Sequence, residues 1–263
     1  MTVRRNQGDR AFTNDVARFQ KNIYQTAKGR IRQAVLHADL ADLINSPKSL
    51  RVLDIGAGIG QVNQLFATSG HQVVHSDISA QMVEAACLAH HEAGLSSQYT
   101  YINAGLQQLP DALAATVADP QFDVVLCHAV LEWLAEPSRA LALIKPLMKP
   151  RGWLSLMFYN KDAKAMANLL YGNFDYVKAG LKVKKKVRFS PHNPLTIQQV
   201  KGWSAAQNLT ICQHSGVRCI HDYLREVGDQ SRDDLIDMEL GVRHEDPFRQ
   251  LGRYQHFLLR ASD

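Results

Sequence analysis

Hydrophobic positions along the chain switch repeatedly between short compact runs and helical spacing, and the alternation predicts β-then-α units. Over residues 15–45, Phe19, Ile23, Ile31, Val35, Leu36 and Leu40 recur at helical spacing, which predicts one or two amphipathic helices closed by Ser46-Pro47. Leu50, Val52, Leu53 and Ile55 then form an apolar run into Gly56, followed by a helix through Val62, Leu65 and Phe66 to Gly70. Residues 72–76 read as a second strand ending at Asp77, after which Ser79 is placed to cap a helix through Met82, Val83, Ala86 and Leu88. Residues 99–103 predict a third strand, and 122–127 a fourth that is apolar on both faces, as buried parallel strands are. Ala, Leu and Ile recur at helical intervals over 137–148, Pro150 and Gly152 end that helix, and 153–159 makes a fifth strand.

Beyond Tyr159 the rhythm breaks. Residues 160–191 read as an irregular insertion, 194–208 return to helix with Val200 and Trp203, and 209–214 and 254–260 look like late strands. Five β-then-α units predict an α/β fold with a doubly wound, mostly parallel sheet, whose right-handed crossovers place ligands at the carboxyl ends of the strands. One domain with insertions is the simplest architecture.

Composition narrows the picture. At 263 residues, 46% hydrophobic and 21% charged, the chain lies in the globular range. A chain of this size buries roughly three quarters of its unfolded surface and needs neither disulfides nor a metal to hold a core. Cys87, Cys127, Cys212 and Cys219 form no C-x-x-C pair, so buried thiols in a reducing cytoplasm are expected, with no zinc site. The first residues lack the apolar core of a signal peptide, and no uninterrupted apolar stretch reaches about 18 residues, so neither export nor membrane insertion is expected. Lys plus Arg number 30 against 25 acids, a formal charge of +5, which permits a nucleic-acid partner without demanding one.

The candidate chemistry begins at Val52-Leu53-Asp54-Ile55-Gly56-Ala57-Gly58-Ile59-Gly60, a strand, a glycine-rich turn and a helix start. Glycine removes the Cβ that would block a ligand and permits positive φ. Position 61 is Gln, so the dinucleotide pattern G-x-G-x-x-G fails by register and the match is G-x-G-x-G. This spacing is similar to that of S-adenosylmethionine-dependent methyltransferases. Asp77, about 20 residues beyond the turn at the end of the next strand, stands where a carboxylate accepts from ribose hydroxyls; capping the following helix is its competing use. Leu106-Gln107 follows the third strand, where methyltransferases commonly contact adenine, and His128 lies where the fourth strand emerges, at the ligand end or as a hydrogen-bonded core residue.

Taken together, the whole chain resembles the bacterial tRNA 5-carboxymethoxyuridine methyltransferase family, within the class I S-adenosylmethionine-dependent methyltransferases. The carrying segments are Phe19-Gln20-Lys21-Asn22-Ile23-Tyr24 with Lys28-Gly29-Arg30-Ile31-Arg32, then His128 to Trp133, Leu154 to Asn160, Gly172 to Val177, Gly216-Val217-Arg218, His221 to Glu226, and Gly252-Arg253-Tyr254. The resemblance implies a seven-stranded Rossmann-like sheet and S-adenosylmethionine as cofactor. Its cofactor positions fall on Arg32, Gly56, Ala57, Asp77, Leu106, Gln107 and His128, of which Ala57 and Leu106 depart from the family's commoner residues. It further implies one methyltransferase domain, with a helical lid over 14–45, a cofactor core over 50–159, a basic insertion over 160–191, and the remaining sheet and substrate region over 192–263. With the family in view, the Arg32 guanidinium matches the cofactor's methionine carboxylate.

The implied reaction is methyl transfer to the side-chain carboxylate of 5-carboxymethoxyuridine at the tRNA wobble position, giving a methyl ester. Such a carboxylate is already ionised, so no catalytic general base is required. Arg218 is the first candidate to position it, with Tyr159, His221 and Tyr223 secondary. Between Tyr176 and Ser190 stand Lys178, Lys182, Lys184, Lys185, Lys186 and Arg188 with no acid, a run suited to a tRNA anticodon region and flanked by Tyr171, Phe174, Tyr176 and Phe189 as stacking surfaces. No DNA, membrane or metal partner is expected, and the location expected is cytoplasmic. A small-molecule O- or N-methyltransferase, with the lysine run incidental, and a catalytically silent tRNA-binding module are the alternatives.

Overall fold

The computed structural model describes residues 26–181, 193–225 and 233–262. Its strands are β1 (Arg51–Ile55), β2 (Gln72–Asp77), β3 (Tyr99–Asn103), β4 (Phe122–His128), β5 (Met148–Tyr159), β6 (Leu209–Val217) and β7 (Tyr254–Ala261). They form one sheet in the order β3-β2-β1-β4-β5-β7-β6. β1 to β5 pair in parallel, with Ile55 beside Ser76 and Cys127, and His128 beside Met157. β7 runs antiparallel to both β5 and β6. The sheet is therefore mixed, which corrects the expectation of a mostly parallel one. An apolar run has no direction of its own. Direction here follows from the connection carrying the helices Asp233–Val242 and Phe248–Leu251, which enters β7 from the carboxyl edge of the parallel strands.

Alternate strand residues serve opposite faces. Leu53, Ile55, Val125, Cys127, Leu154, Leu156, Phe257 and Leu259 belong to one core. Val52, Val124, Leu126 and Leu258 meet Leu40, Ile44 and Phe66 on the other face. The helix Ala27–Ile44, capped by the Thr26 side chain, supplies Leu40 and Ile44 there and sets Val35 and Leu36 against Met157 and Val217. Completely burying one such Leu or Phe contributes roughly 1.5–3 kcal/mol, so this helix is an integral layer of the domain.

Three further expectations are corrected. Residues 137–148 form only a short α-helix, Ala140–Ile144, between two 3-10 turns, because Pro137 and Pro146 interrupt the donor pattern, and β5 already starts at Met148. The 160–191 region is not wholly irregular: Asn160 caps a helix, Lys161–Leu170, and Phe174–Lys178 forms another. Cys127 and Cys219 are buried, but Cys87 and Cys212 are exposed, Cys212 on the edge strand β6 where the register to β7 slips.

Candidate active site

The end of β1 passes into Gly56, Gly58 and Gly60, all at positive φ. A Cβ on Gly56 would stand 2.5 Å from Val130 Cγ2, so only glycine lets this loop close onto the segment that follows β4. Asp77 ties the loop to the next turn. One carboxylate oxygen accepts from Gly58 N at 2.9 Å and the other from Ser79 N at 2.8 Å, while the Ser79 hydroxyl caps the helix Ala80–Glu92. Each Asp77 oxygen keeps acceptor capacity. Burial raises its pKa against the lowering effect of the two backbone donors.

Gly56, Asp77, Ile78, Leu106, Val130 and Trp133 line an open cleft at the carboxyl ends of β1, β2 and β4. Ala57 lies on the loop with its N–H donated to Ser76 O at 3.0 Å, and Gln107 is exposed beside Leu106. Ala129, which follows β4, takes a left-handed φ of 57° and also lines the cleft.

His128 leads into a buried polar chain. Its Nε2 is 2.7 Å from Ser155 Oγ, which is 2.8 Å from His256 Nε2, and His256 Nδ1 is 2.7 Å from Asp39 Oδ2. Arg243 Nε donates to the other Asp39 oxygen at 3.0 Å. Burial, then the charges of His256 and Arg32, hold the His128 pKa well below the ordinary histidine value, so it is neutral at pH 7. Arg32 and Asp39 are seven residues apart and share a face of the helix Ala27–Ile44. Fixing Asp39 against β7 thereby brings the Arg32 charge near His128 and Tyr254.

The antiparallel edge completes the site. β4 ends at His128, β5 at Tyr159 and β6 at Val217, and β7 begins at Tyr254 opposite both Tyr159 and Val217, so all four positions share the carboxyl edge. The Tyr159 and Tyr254 rings are 5.4 Å apart. Burial pushes the Tyr159 and Tyr223 hydroxyls up to about 12, keeping them protonated donors. Tyr223 Oη donates to Leu251 O at 2.8 Å. Arg218, at φ 62°, points its fork at Asp222, with Nε to Oδ2 at 2.7 Å and a second bond from the same fork to Oδ1 at 2.6 Å. His221 is buried, and its N–H, with those of Cys219 and Ile220, donates to the Glu239 carboxylate, which braces the turn after β6.

The structure thus gathers Gly56, Asp77 and Leu106 around the cleft, sets the Arg32 charge near His128 at the end of β4, and brings Arg218, Tyr159, His221 and Tyr223 to the antiparallel side. Lys182, Lys184, Lys185, Lys186 and Arg188, residues 14–25 and Phe189 lie outside the described residues. Sequence reasoning did not single out Asp39, Ser155, His256, Glu132 or Arg253. Glu132, Ser155 and Arg253 lie within segments that carry the family resemblance, His128 to Trp133, Leu154 to Asn160 and Gly252-Arg253-Tyr254, without a role assigned to them there. Glu132 is wholly buried, with no hydrogen-bond partner for its carboxyl among the described residues.

Comparison with known proteins bears on what this geometry serves. A family profile described as a methyltransferase domain matches residues 53–156. The tRNA 5-carboxymethoxyuridine methyltransferase of Escherichia coli is 41% identical over 257 residues, which cover 96% of each chain. The chain belongs to the tRNA 5-carboxymethoxyuridine methyltransferase family. The likeness of this family member to a ubiquinone biosynthesis O-methyltransferase of Pasteurella multocida, at 31% identity, spans only 51% of the chain and 56% of that protein. Among solved structures, the [4+2]-cyclase SpnF superposes with a TM-score of 0.57 at 20% identity, covering 85% of this chain and 81% of that one. A plantazolicin methyltransferase, BpumL, solved with SAH, superposes with 0.56 at 14% identity, covering 94% and 90%. These two establish the Rossmann-like methyltransferase fold for this family member and nothing about its substrate, since a cyclase shares the same fold.

Among the described residues, no group of three or more His, Cys, Asp or Glu is arranged to hold a metal ion, and no helix is long and apolar enough to cross a membrane.

Proposed function

We propose that the chain methylates the carboxylate of 5-carboxymethoxyuridine at the wobble position of tRNA, using S-adenosylmethionine. The observation that carries this reading is the extent of the 41% identity. It runs over 96% of both chains and so includes the antiparallel side, whereas the likeness to the ubiquinone O-methyltransferase is confined to about half of this chain.

The cleft fits the cofactor. Gly56 lines the cleft without a side chain, Asp77 retains acceptor capacity suited to paired ribose hydroxyls, and Ile78, Leu106 and Trp133 offer apolar walls for a flat base. On this reading Gly56, Ala57, Asp77, Leu106 and Gln107 hold the nucleoside part, and Arg32 and His128 the amino-acid end. Neutral His128 adds no positive charge beside a sulfonium. When bound, S-adenosylmethionine supplies an electrophilic methyl carbon, so that a carboxylate oxygen gains a carbon–oxygen bond as the carbon–sulfur bond breaks and no proton is released.

The protein's own contribution is placement and exclusion of water. A carboxylate needs no base, and holding it in line at roughly 3–3.5 Å from the reacting carbon supplies the entropic part of the barrier. Tyr159 and Tyr223 remain donors at neutral pH, and the Arg218–Asp222 pair walls the acceptor side together with buried His221. Lys182, Lys184, Lys185, Lys186 and Arg188 are assigned to the tRNA backbone on their charge alone. The anticodon region and a cytoplasmic location follow from the substrate.

The test is incubation of the protein with isotopically labelled S-adenosylmethionine and tRNA bearing the free acid, followed by nucleoside mass spectrometry. Labelled methyl ester at the wobble uridine is expected. Label appearing only in a small metabolite, or in no product, would overturn the reading.

A further inference from the structure

Two arginines stand beside the Tyr159–Tyr254 pair, and they are not equivalent. The Arg218 guanidinium lies 5.8 Å from the Tyr254 ring, but its fork is closed by Asp222 in two short hydrogen bonds, both side chains being 11% exposed. That pair is neutral as a unit, and Arg218 would have to release a buried carboxylate to engage another. The Arg253 guanidinium lies 5.2 Å from the centre of the Tyr159 ring. Among the described residues, no carboxylate comes within 4.0 Å of Arg253 and its side chain makes no hydrogen bond. Tyr159 is only 6% exposed, and its hydroxyl makes no hydrogen bond among the described residues either.

The backbone holds Arg253 firmly in this position. Its N–H donates to Arg218 O and its carbonyl accepts from Asn160 N, both at 3.1 Å. The preceding Gly252 approaches the Gly216–Val217 backbone so closely that a Cβ would stand 2.7 Å from Gly216 Cα. Because β7 is antiparallel, this clamp falls at the carboxyl edge, next to the ends of β4 and β5.

We propose that Arg253 is the cation that binds the acceptor carboxylate, with the Tyr159 hydroxyl as a second donor and Arg218 held away from the acceptor by Asp222. The assignment rests on the function proposed above. An ionised acceptor drawn out of water needs an opposite charge that is not already neutralised, and Arg253 supplies one on a rigid turn. A planar fork also engages one edge of the carboxylate and leaves a second lone pair on each oxygen for attack.

The experiment compares wild type, Arg253→Ala and Arg253→Lys in full-length protein, using tRNA bearing the free acid. Three quantities are measured: the rate of ester formation by nucleoside mass spectrometry, S-adenosylmethionine affinity by calorimetry, and binding of acid-bearing against ester-bearing tRNA. Loss of one hydrogen-bonded contact to a charged group, about 1.5–3 kcal/mol, corresponds to a fall of roughly 10- to 150-fold in kcat/KM for Arg253→Ala. Cofactor affinity should stay within about threefold, and the lysine variant should fall between the other two. Wild type should prefer the acid-bearing tRNA, and Arg253→Ala should lose that preference, which a merely structural role would leave intact. Ester formation by Arg253→Ala at the wild-type rate, or a retained preference for the acid, would overturn the assignment alone. Failure of the wild-type protein to form ester would overturn the functional reading and the assignment with it.

Discussion

Asp39 Oδ2 and His256 Nδ1 meet at 2.7 Å with both side chains wholly buried, joining the helix Ala27–Ile44 to the antiparallel strand β7. Burial pushes the Asp39 carboxyl up, but His256, Ser215 and Arg243 outweigh it and hold the pKa below the ordinary value, so Asp39 is ionised at neutral pH. An ionised Asp39 accepts a hydrogen bond from His256 Nδ1–H. The Ser155 hydroxyl bridges the Nε2 atoms of His256 and His128, at 2.8 and 2.7 Å.

Removing Asp39 should cost stability out of proportion to its size. Asp39→Ala leaves His256 and Arg243 without their buried acceptor, and breaking a buried pair from one side costs about 3–5 kcal/mol. Urea unfolding at neutral pH measures this. Because the folded pKa is depressed, the contribution is present above the unfolded-state value and is lost as pH falls through the folded value. The gap between wild type and variant should therefore narrow in acid, and a gap independent of pH would contradict an ionised Asp39.

Glu132 gives the opposite sign. Burial pushes its carboxyl up to about 8. Between the ordinary carboxyl value and about 8, the folded protein keeps a proton that the unfolded chain has released, so stability declines as pH rises through that window. Asp54, pushed to about 8 chiefly by burial, acts in the same direction. Glu132→Gln should match wild type near pH 4 and exceed it in alkaline solution at about pH 9, read as the unfolding midpoint in denaturant. Parallel pH profiles would mean that Glu132 is ionised in the folded protein.

Gly56→Ala separates the loop's backbone strain from its role at the cleft. A left-handed φ costs a non-glycine residue about 1–2 kcal/mol, and here the added Cβ also meets Val130 at 2.5 Å. Gly70 has φ 85° but open space around it, so Gly70→Ala carries the backbone cost without the collision. Both variants should lose stability, whereas only Gly56→Ala should weaken S-adenosylhomocysteine binding, by about tenfold or more if the collision adds another 1.4 kcal/mol. Equal affinities by calorimetry would remove Gly56 from the cofactor site.

The five parallel strands were legible because each is a short apolar run followed by a turn residue or helix cap, as at Ile55-Gly56 and Asp77-Ile78-Ser79. Hydrophobic period does not encode strand direction, so the antiparallel entry of β7, and the position it gives Arg253, could not be read from 254–260. The helix Lys161–Leu170 was hidden because its buried face consists largely of small residues, Ala163 and Ala167, among polar neighbours. Asp39 and His256 are 217 residues apart, and nothing local in either segment announces the other. The glycine loop and Asp77 were visible because their chemistry is local: a turn that needs positive φ, and one carboxylate at a strand end.

The cationic run over residues 182–188 is assigned to tRNA on charge alone. If Lys185 and Lys186 each neutralise one tRNA phosphate, the log–log dependence of binding on salt should have a slope shallower by about 1.4–1.8 in the double variant Lys185→Ala, Lys186→Ala, from roughly 0.7 per single-stranded and 0.9 per duplex contact. KM for tRNA should rise most at low salt and converge on the wild-type value as salt increases, while S-adenosylmethionine affinity stays unchanged. Filter binding across a salt series measures the slope directly. A double variant that binds tRNA more weakly but with an unaltered slope would place these lysines away from the phosphates, and one that binds normally would make the run a solvated surface feature.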